Sequence, residues 1–431
     1  MTTAEETAEA LARPSSIEAQ QRRGWKAGMP GRAFWVFFTA SVVFALAFSS
    51  YFFLYSVYLV DLNFTESQIG RITAALTLGS MLGTLPAGML VRRAGIRCTV
   101  ICCIAISAAA SALRICFSAY DAQIALGLVA GFTLCAWAVC LGPSVASLCS
   151  EKTRTFAFSA IFASGIAVTG LGTLLSSHAP HLLQTAVPNM HLSMLDAHRA
   201  VALMACAAGG IAVLPLSVLP LGRVLAPREK IQTIYPFLRR FLPAAALWTF
   251  ASAAFAPFVT VFFTRHHGIS VQQLGLFLSS SQIAQAAGVL LAPVMLKRFG
   301  FGRSMMMAQL AATCALALLA AAKVVILIEV LYWMFLAFTC VSEPCLYSIL
   351  MAGVSANQRG AASSAHQLVS GFTVTLAAVV TGSIIGRFGY SPMFLVLAAC
   401  TIASAAMFRR LGRTANRTPL LGMRESADMS L

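Results

Sequence analysis

One carboxylate stands deep inside an apolar stretch of this 431-residue chain: Glu343, in the run AFTCVSEPCLYSIL. A charged group is costly in hydrocarbon, so such a residue marks an ion or substrate pathway, or sits protonated as hydrogen-bonding glue between helices. Pro344 beside it removes a backbone donor and favours a bend. His366, followed by Gln367, is the one histidine of seven within an apolar block, and an imidazole titrates near neutrality. Glu343 and His366 would lie about 13 Å and 9 Å from the same ends of neighbouring helices at ~1.5 Å per residue. That placement suits a proton relay, or an interhelical hydrogen bond. Gln282 and Gln285 are three residues apart, so they share a helix face, and Ser279, Ser280 and Ser281 precede them. A polar strip of that kind suits contact with a polar solute, or helix packing. Trp137 and Trp248 can stack on an organic molecule, or simply fill space.

The elements that must carry these residues follow from composition. Hydrophobic residues make up 59% of the chain and charged residues 10%, too little polar surface for a soluble fold. The apolar residues fall in blocks long enough to cross a bilayer as helices. The expected spans are 33–59, 68–91, 98–118, 122–149, 156–178, 199–221, 238–264, 271–296, 304–323, 325–352, 360–386 and 391–409. The expected fold is therefore an all-α polytopic membrane protein of twelve transmembrane helices. Its expected parts are an N-terminal tail (1–32), a six-helix bundle (33–221), a charged central loop (222–237), a second six-helix bundle (238–411) and a C-terminal tail (412–431).

Charge placement sets the orientation. Of 30 Lys and Arg, six (Arg71, Arg114, Arg199, Arg265, Lys323 and Arg387) fall on one side, and the others lie in the tails and alternate loops. This asymmetry puts both termini in the cytoplasm. The net charge of +16 then answers to lipid headgroups and not to nucleic acid. Most of the twelve cysteines lie in apolar spans and read as small hydrophobes, so neither a metal nor another cofactor is expected. The other six histidines (His178, His181, His191, His198, His266 and His267) lie on the outer side and read as solvated loop residues, or as sensors of external pH.

The two bundles overlay at a constant offset of 205 residues. Gly70 falls on Gly275 (FTESQIG against ISVQQLG), Gly83 on Gly288, Arg93 on Arg298 and Gly95 on Gly300. Cys135 and Cys140 fall on Cys340 and Cys345, and Arg154 on Arg359. Halves with six spans each share one orientation, so the repeat axis lies along the membrane normal and a binding site is expected at their interface. Glu343 falls on Ala138 and His366 on Ile161, so the candidate chemistry breaks the symmetry.

After the second span stands Gly88-Met-Leu-Val-Arg92-Arg93-Ala-Gly95-Ile-Arg97, and at the matching place Lys297-Arg298-Phe-Gly300-Phe-Gly302-Arg303. This resembles the cytoplasmic loop motif of the major facilitator superfamily, with a fainter echo at Gly382 to Gly389. With the topology, the resemblance covers residues from about 33 to 411. It implies a transporter whose loop motif locks the halves when the cytoplasmic side is closed. Glycine can turn tightly where other residues cannot, and the arginines can hold helix C-terminal carbonyls. Where the family has Asp this chain has Arg92 and Lys297, so the usual carboxylate–arginine contact cannot form. The fourth span also lacks the buried arginine of proton-driven drug exporters.

Secondary transport of a small organic molecule by alternating access is the expected function, with protons as candidate co-substrate through Glu343. Efflux of amphipathic or cationic compounds is slightly favoured over uptake of a neutral nutrient. A nucleotide-driven pump would want a GxxxxGK[ST] loop, and a channel would want charge rings or a carbonyl filter. An intramembrane enzyme would want a buried nucleophile with a base, paired aspartates or metal-ligand spacing, yet Asp61, Asp121, Asp196 and Asp428 all fall outside the spans. A membrane sensor or scaffold stays open as an alternative. The short loops point to a bacterial inner membrane and a monomer.

Overall fold

A computed structural model describes residues 30–219, 221, 236–354 and 358–415. The expected tails and central loop lie outside the described residues, apart from their edges. Among the described residues the chain is helical and contains no strand. The order is α1 (Arg32–Asp61), then a 51-residue helix, Glu66–Cys116, which Gly95 divides into α2 (66–94) and α3 (96–116). Next come α4 (Tyr120–Leu148), α5 (Glu151–Ala186) and α6 (Met194–Ile211), the last extended by a 3₁₀ turn, Leu214–Val218. In the second half α7 (Pro236–Ala253) continues through a 3₁₀ turn, Ala256–Phe258, and a π turn, Phe262–His266. A second 51-residue helix, Val271–Ala321, is divided at Gly300 into α8 (271–299) and α9 (301–321). The chain ends in α10 (Val325–Ala352), α11 (Arg359–Phe388) and α12 (Tyr390–Ala415).

Eleven described helices are long and apolar enough to cross a membrane when Glu66–Cys116 is taken as one. Dividing it at Gly95, as its counterpart is divided at Gly300, accounts for twelve. The outward-facing side chains are apolar, with Leu290, Ile283 and Ile326 each more than 70% exposed. Such a surface would aggregate in water and suits lipid.

The repeat read from the sequence is built into the backbone. Thr65 and Gln68 form a reciprocal capping box at the start of α2, and Ser270 and Gln273 form the same box at α8, satisfying helix donors at both ends. Gly95 turns with φ 85° and Gly300 with φ 75°, a region that glycine enters without steric cost. Gly83 lies against the carbonyl of Phe132 and Gly288 against that of Ala337, and these two carbonyls are again 205 residues apart. The α2–α4 seam closes further through Gly79 on the Leu128 carbonyl and Gly131 on that of Leu76. Glycine lets helix backbones approach closely where lipid offers no hydrophobic drive to associate. In the second half, hydrogen bonds Gln309–Ser404 (3.0 Å) and Thr313–Thr401 (2.6 Å) tie α9 to α12.

Two boundaries differ from expectation. Helix α5 runs on to Ala186, through Pro180, so little remains of the expected loop 179–198. The Gln184 side chain donates to the Leu192 carbonyl (2.8 Å), folding the short connection back. Helix α6 starts at Met194, where the Ser193 hydroxyl accepts from the Asp196 amide, an N-cap that the Ser-x-x-Asp spacing carries.

The glycine seams make a sign prediction. At Gly83 even a methyl group meets the Phe132 carbonyl, whereas nothing lies within 4 Å of the Cβ position at Gly142. Gly83→Ala is expected to lower the melting temperature by an overpacking cost of about 1–3 kcal/mol. Gly142→Ala is expected to leave it unchanged or raise it slightly. Thermal unfolding of the purified variants measures both.

Candidate functional site

The turns at Gly95 and Gly300 lie on one face of the bundle, the basic face that the charge bias assigns to the cytoplasm, and the other is the far face. The halves meet through α2 with α11 and α5 with α8. Gly70 packs on the Ala378 carbonyl, Gly382 on that of Glu66 and Gly275 on Ser177. Hydrogen bonds join the halves at Thr77–Thr375 (3.0 Å) and from Ser279 to the Gly170 carbonyl (2.8 Å). At the far end of α7, Arg265 donates to the carbonyls of Phe64 (2.7 Å) and Val60 (2.6 Å), at and just beyond the end of α1. These contacts run from the middle of the membrane to the far face. Just beyond α7, burial first and the neighbouring His266 second hold His267 below the ordinary imidazole range. Its ring packs on Phe262, 4.7 Å away.

Below this seal lies a cavity of about 320 Å³. Its walls come from α1 (Ser41, Ala45), α4 (Trp137), α5 (Phe162, Thr169) and, across the interface, Gln282 of α8. All its lining residues are uncharged. Of the residues singled out by sequence, this cavity takes in Trp137 and Gln282. The Trp137 ring stacks parallel to Phe37 (6.1 Å) and lies 4.4 Å from Phe44, which fixes its plane.

Glu343 is exposed, and its direction can be read from its helix. Leu327, Val330 and Met334 form the outward stripe of α10. Glu343 is nine residues past Met334, about two and a half turns at 3.6 residues per turn, so it points away from that stripe. Its repeat partner Ala138 is exposed too. The direct Glu343–His366 contact considered above is not made: no ion pair joins them. Instead Tyr347, one turn from Glu343, stands between the two helices. Its ring packs edge-on to His366 at 5.5 Å, and its hydroxyl accepts from Gln367 (2.8 Å). His366 is buried against Phe241 of α7 (5.9 Å). Gln285 faces Cys340 of α10 at a long 3.9 Å. Trp248 is fully buried in the core of the second half and is not presented to a solute, which corrects its expected role.

Sequence reasoning passed over Tyr347, although its i+4 spacing from Glu343 put it on the same face. It also misplaced one far-face residue, His198, and did not foresee that Arg114 is a core residue, 1% exposed. His198 is not solvated: it is buried, with Nδ1 2.7 Å from the Asp61 carboxylate. In the loop motif, Arg97 donates to the Ser217 carbonyl (2.8 Å) at the end of α6, the C-terminal role expected of these arginines. Arg92, Arg93, Lys297, Arg298 and Arg303 are exposed, and Gly88 has open space around its Cβ position.

Two six-helix halves, sealed at one face and separated by a cavity, define a helical membrane transporter. The sequence matches the Major Facilitator Superfamily model over residues 37–233 and 241–426, so the chain belongs to that superfamily. No curated protein is significantly similar in sequence. Among solved structures, the nucleoside transporter NupG is similar with a TM-score of 0.71 and 17% identity, covering 88% of this chain and 99% of that one. A bacterial homolog of the human lysosomal transporter Spinster, inward-facing and occupied, gives 0.72 and 14% identity, with 90% and 97% covered. The E. coli fucose:proton symporter FucP, as a single-residue variant, gives 0.57 and 15%, with 88% and 99% covered.

Cysteines placed at 77 and 375 are expected to form a disulfide on mild oxidation, because these side chains touch. Arg265→Gln, by releasing the end of α1, is expected to slow that cross-link several-fold, as read by mass spectrometry.

Proposed function

We propose that the chain is a secondary active transporter that carries a small organic molecule across a bacterial inner membrane by alternating access, with both termini in the cytoplasm. The observation that supports this reading is the cavity that reaches from the first half to Gln282 of the second, beneath the contacts that join the halves toward the far face. A site that both halves line, with the seal on one side, changes its access when the halves rock about it.

Glu343 is the group proposed to couple transport to protons. It is exposed without a basic partner, so it can lose and regain a proton as access alternates. Tyr347, Gln367 and His366 form the hydrogen-bonding and packing shell behind it. Gln282 and Trp137 are the proposed substrate contacts, one supplying an amide and the other a flat apolar face. An uncharged wall and a single carboxylate favour amphipathic or cationic compounds, and efflux is the preferred direction. A second reading, uptake of a neutral nutrient, draws on the uncharged hydroxyl and amide lining. A nucleoside transporter and a fucose:proton symporter share the fold, so neutral cargo and proton coupling both occur on it.

The test is thermal stabilisation of the purified protein across a compound library at about pH 5.5 and 7.5. A hit whose shift depends on pH, with that dependence lost in Glu343→Gln, is the expected outcome. Hits indifferent to pH and to the substitution would make the chain a facilitator and Glu343 a structural residue.

A further inference from the structure

Arg114 poses a separate problem. Its side chain is 1% exposed, and no carboxylate of the described residues lies within ion-pair distance. A guanidinium keeps its charge in any protein environment, and an unpaired buried charge is expensive.

The surrounding hydrogen bonds can be assigned atom by atom. Gln123 of α4 donates its amide hydrogens to the carbonyls of Arg114 (2.6 Å) and Phe117, which leaves its Oε1 as an acceptor. The Tyr55 hydroxyl must therefore donate to Gln123 Oε1 (2.6 Å), and its lone pair receives Arg114 Nη2 (2.6 Å). The Tyr55 ring lies under the guanidinium at 4.1 Å. Every member of the trio is committed, and the Tyr51 hydroxyl is the remaining polar neighbour of the guanidinium, yet neither Arg114 Nε nor Nη1 has an acceptor in hydrogen-bonding geometry. The cation has aromatic company but no counter-charge.

The repeat supplies an internal control. In the same register Arg114 corresponds to Leu319 and Gln123 to Ile328, buried at 3% and 1%. The fold thus fills these positions with apolar side chains in one half and with a charged network in the other. An apolar filling is usually the more stable of the two, so the network is unexplained by packing.

A small, largely apolar crevice of about 40 Å³ lies between α1, α3 and α6 next to this site, room for a few water-sized bodies. Tyr51 and Ser111 are in its wall, and each is one helical turn from the Tyr55–Arg114 contact. It gives a small solute a route toward the guanidinium.

We propose that Arg114 is an anion-binding residue that holds a small monovalent inorganic anion within the N-terminal half. The anion accepts from Nε and Nη1, neutralises the buried guanidinium and fixes α1, α3 and α4 together near the far face. The site is distinct from the transport cavity, and the anion is bound, not carried.

The probe is chloride. Melting of the detergent-purified full chain is followed while sodium chloride replaces sodium gluconate up to about 300 mM at constant ionic strength. The wild type is expected to show a saturating rise of about 2–4 °C, reproduced by bromide. Arg114→Leu with Gln123→Ile, the pair that the second half carries, is expected to give a flat response, while Arg387→Gln, an exposed far-face arginine, keeps the wild-type response. A halide-insensitive wild type, or an undiminished response in the double variant, overturns the proposal. Should the double variant fail to fold, bromide anomalous scattering from wild-type crystals decides: a peak beside Arg114 is expected, and a site without one refutes it.

Discussion

In a bilayer, lipid tails are as apolar as leucine, so helices gain little from leaving them for one another. What holds this structure together is therefore close backbone approach, and that approach depends on residues without side chains. Gly79, Gly83 and Gly131 set α2 against α4, and Gly288 sets α8 against α10. The same device operates between the halves, where Gly70, Gly275 and Gly382 meet carbonyls or small side chains across the interface. Contacts of the first kind make each half a firm body. Contacts of the second kind, reinforced by a few hydrogen bonds, allow two such bodies to seal at one face and part at the other.

On this repeated scaffold the chemistry is asymmetric. Capping boxes, glycine turns and helix seams recur at a 205-residue spacing, whereas Glu343, His366, Arg114 and Gln123 stand opposite Ala138, Ile161, Leu319 and Ile328. The duplicated parts account for the two-bundle architecture. The unduplicated parts are where charge has been placed in a low-dielectric interior at a cost, and they are where function is to be sought. Glu343 is exposed on α10. Arg114 lies within one half.

Much of the architecture was legible because bilayer thickness imposes it. Twelve spans, two halves and the turns at Gly95 and Gly300 follow from segment length and from glycine at fixed spacing. The direction of individual side chains was far less legible. In a soluble helix an apolar stripe marks the inside, but here the lipid face and the core face are both apolar, so hydrophobic pattern does not distinguish them. Trp137 and Trp248 looked equivalent for that reason, yet one lines the cavity and the other fills the core. His198 misled in another way. It lies close to a helix end, where sequence position suggests water, but it is buried beside Asp61 at the end of α1. The sequence placed Glu343 and His366 on neighbouring helices, but a direct contact needs facing side chains, and Tyr347 occupies that space.

The central claim is that the two halves move as bodies about the cavity between them. Paired spin labels measure this most directly, with one pair at Arg93 and Arg298 on the basic face and another at Leu182 and Lys323 on the far face. Distance distributions recorded by pulsed electron paramagnetic resonance, over conditions that shift the conformational equilibrium, should change in opposite senses: as the basic-face pair draws together, the far-face pair moves apart. Distances that stay fixed at both faces, or that change at one face alone, would contradict the account.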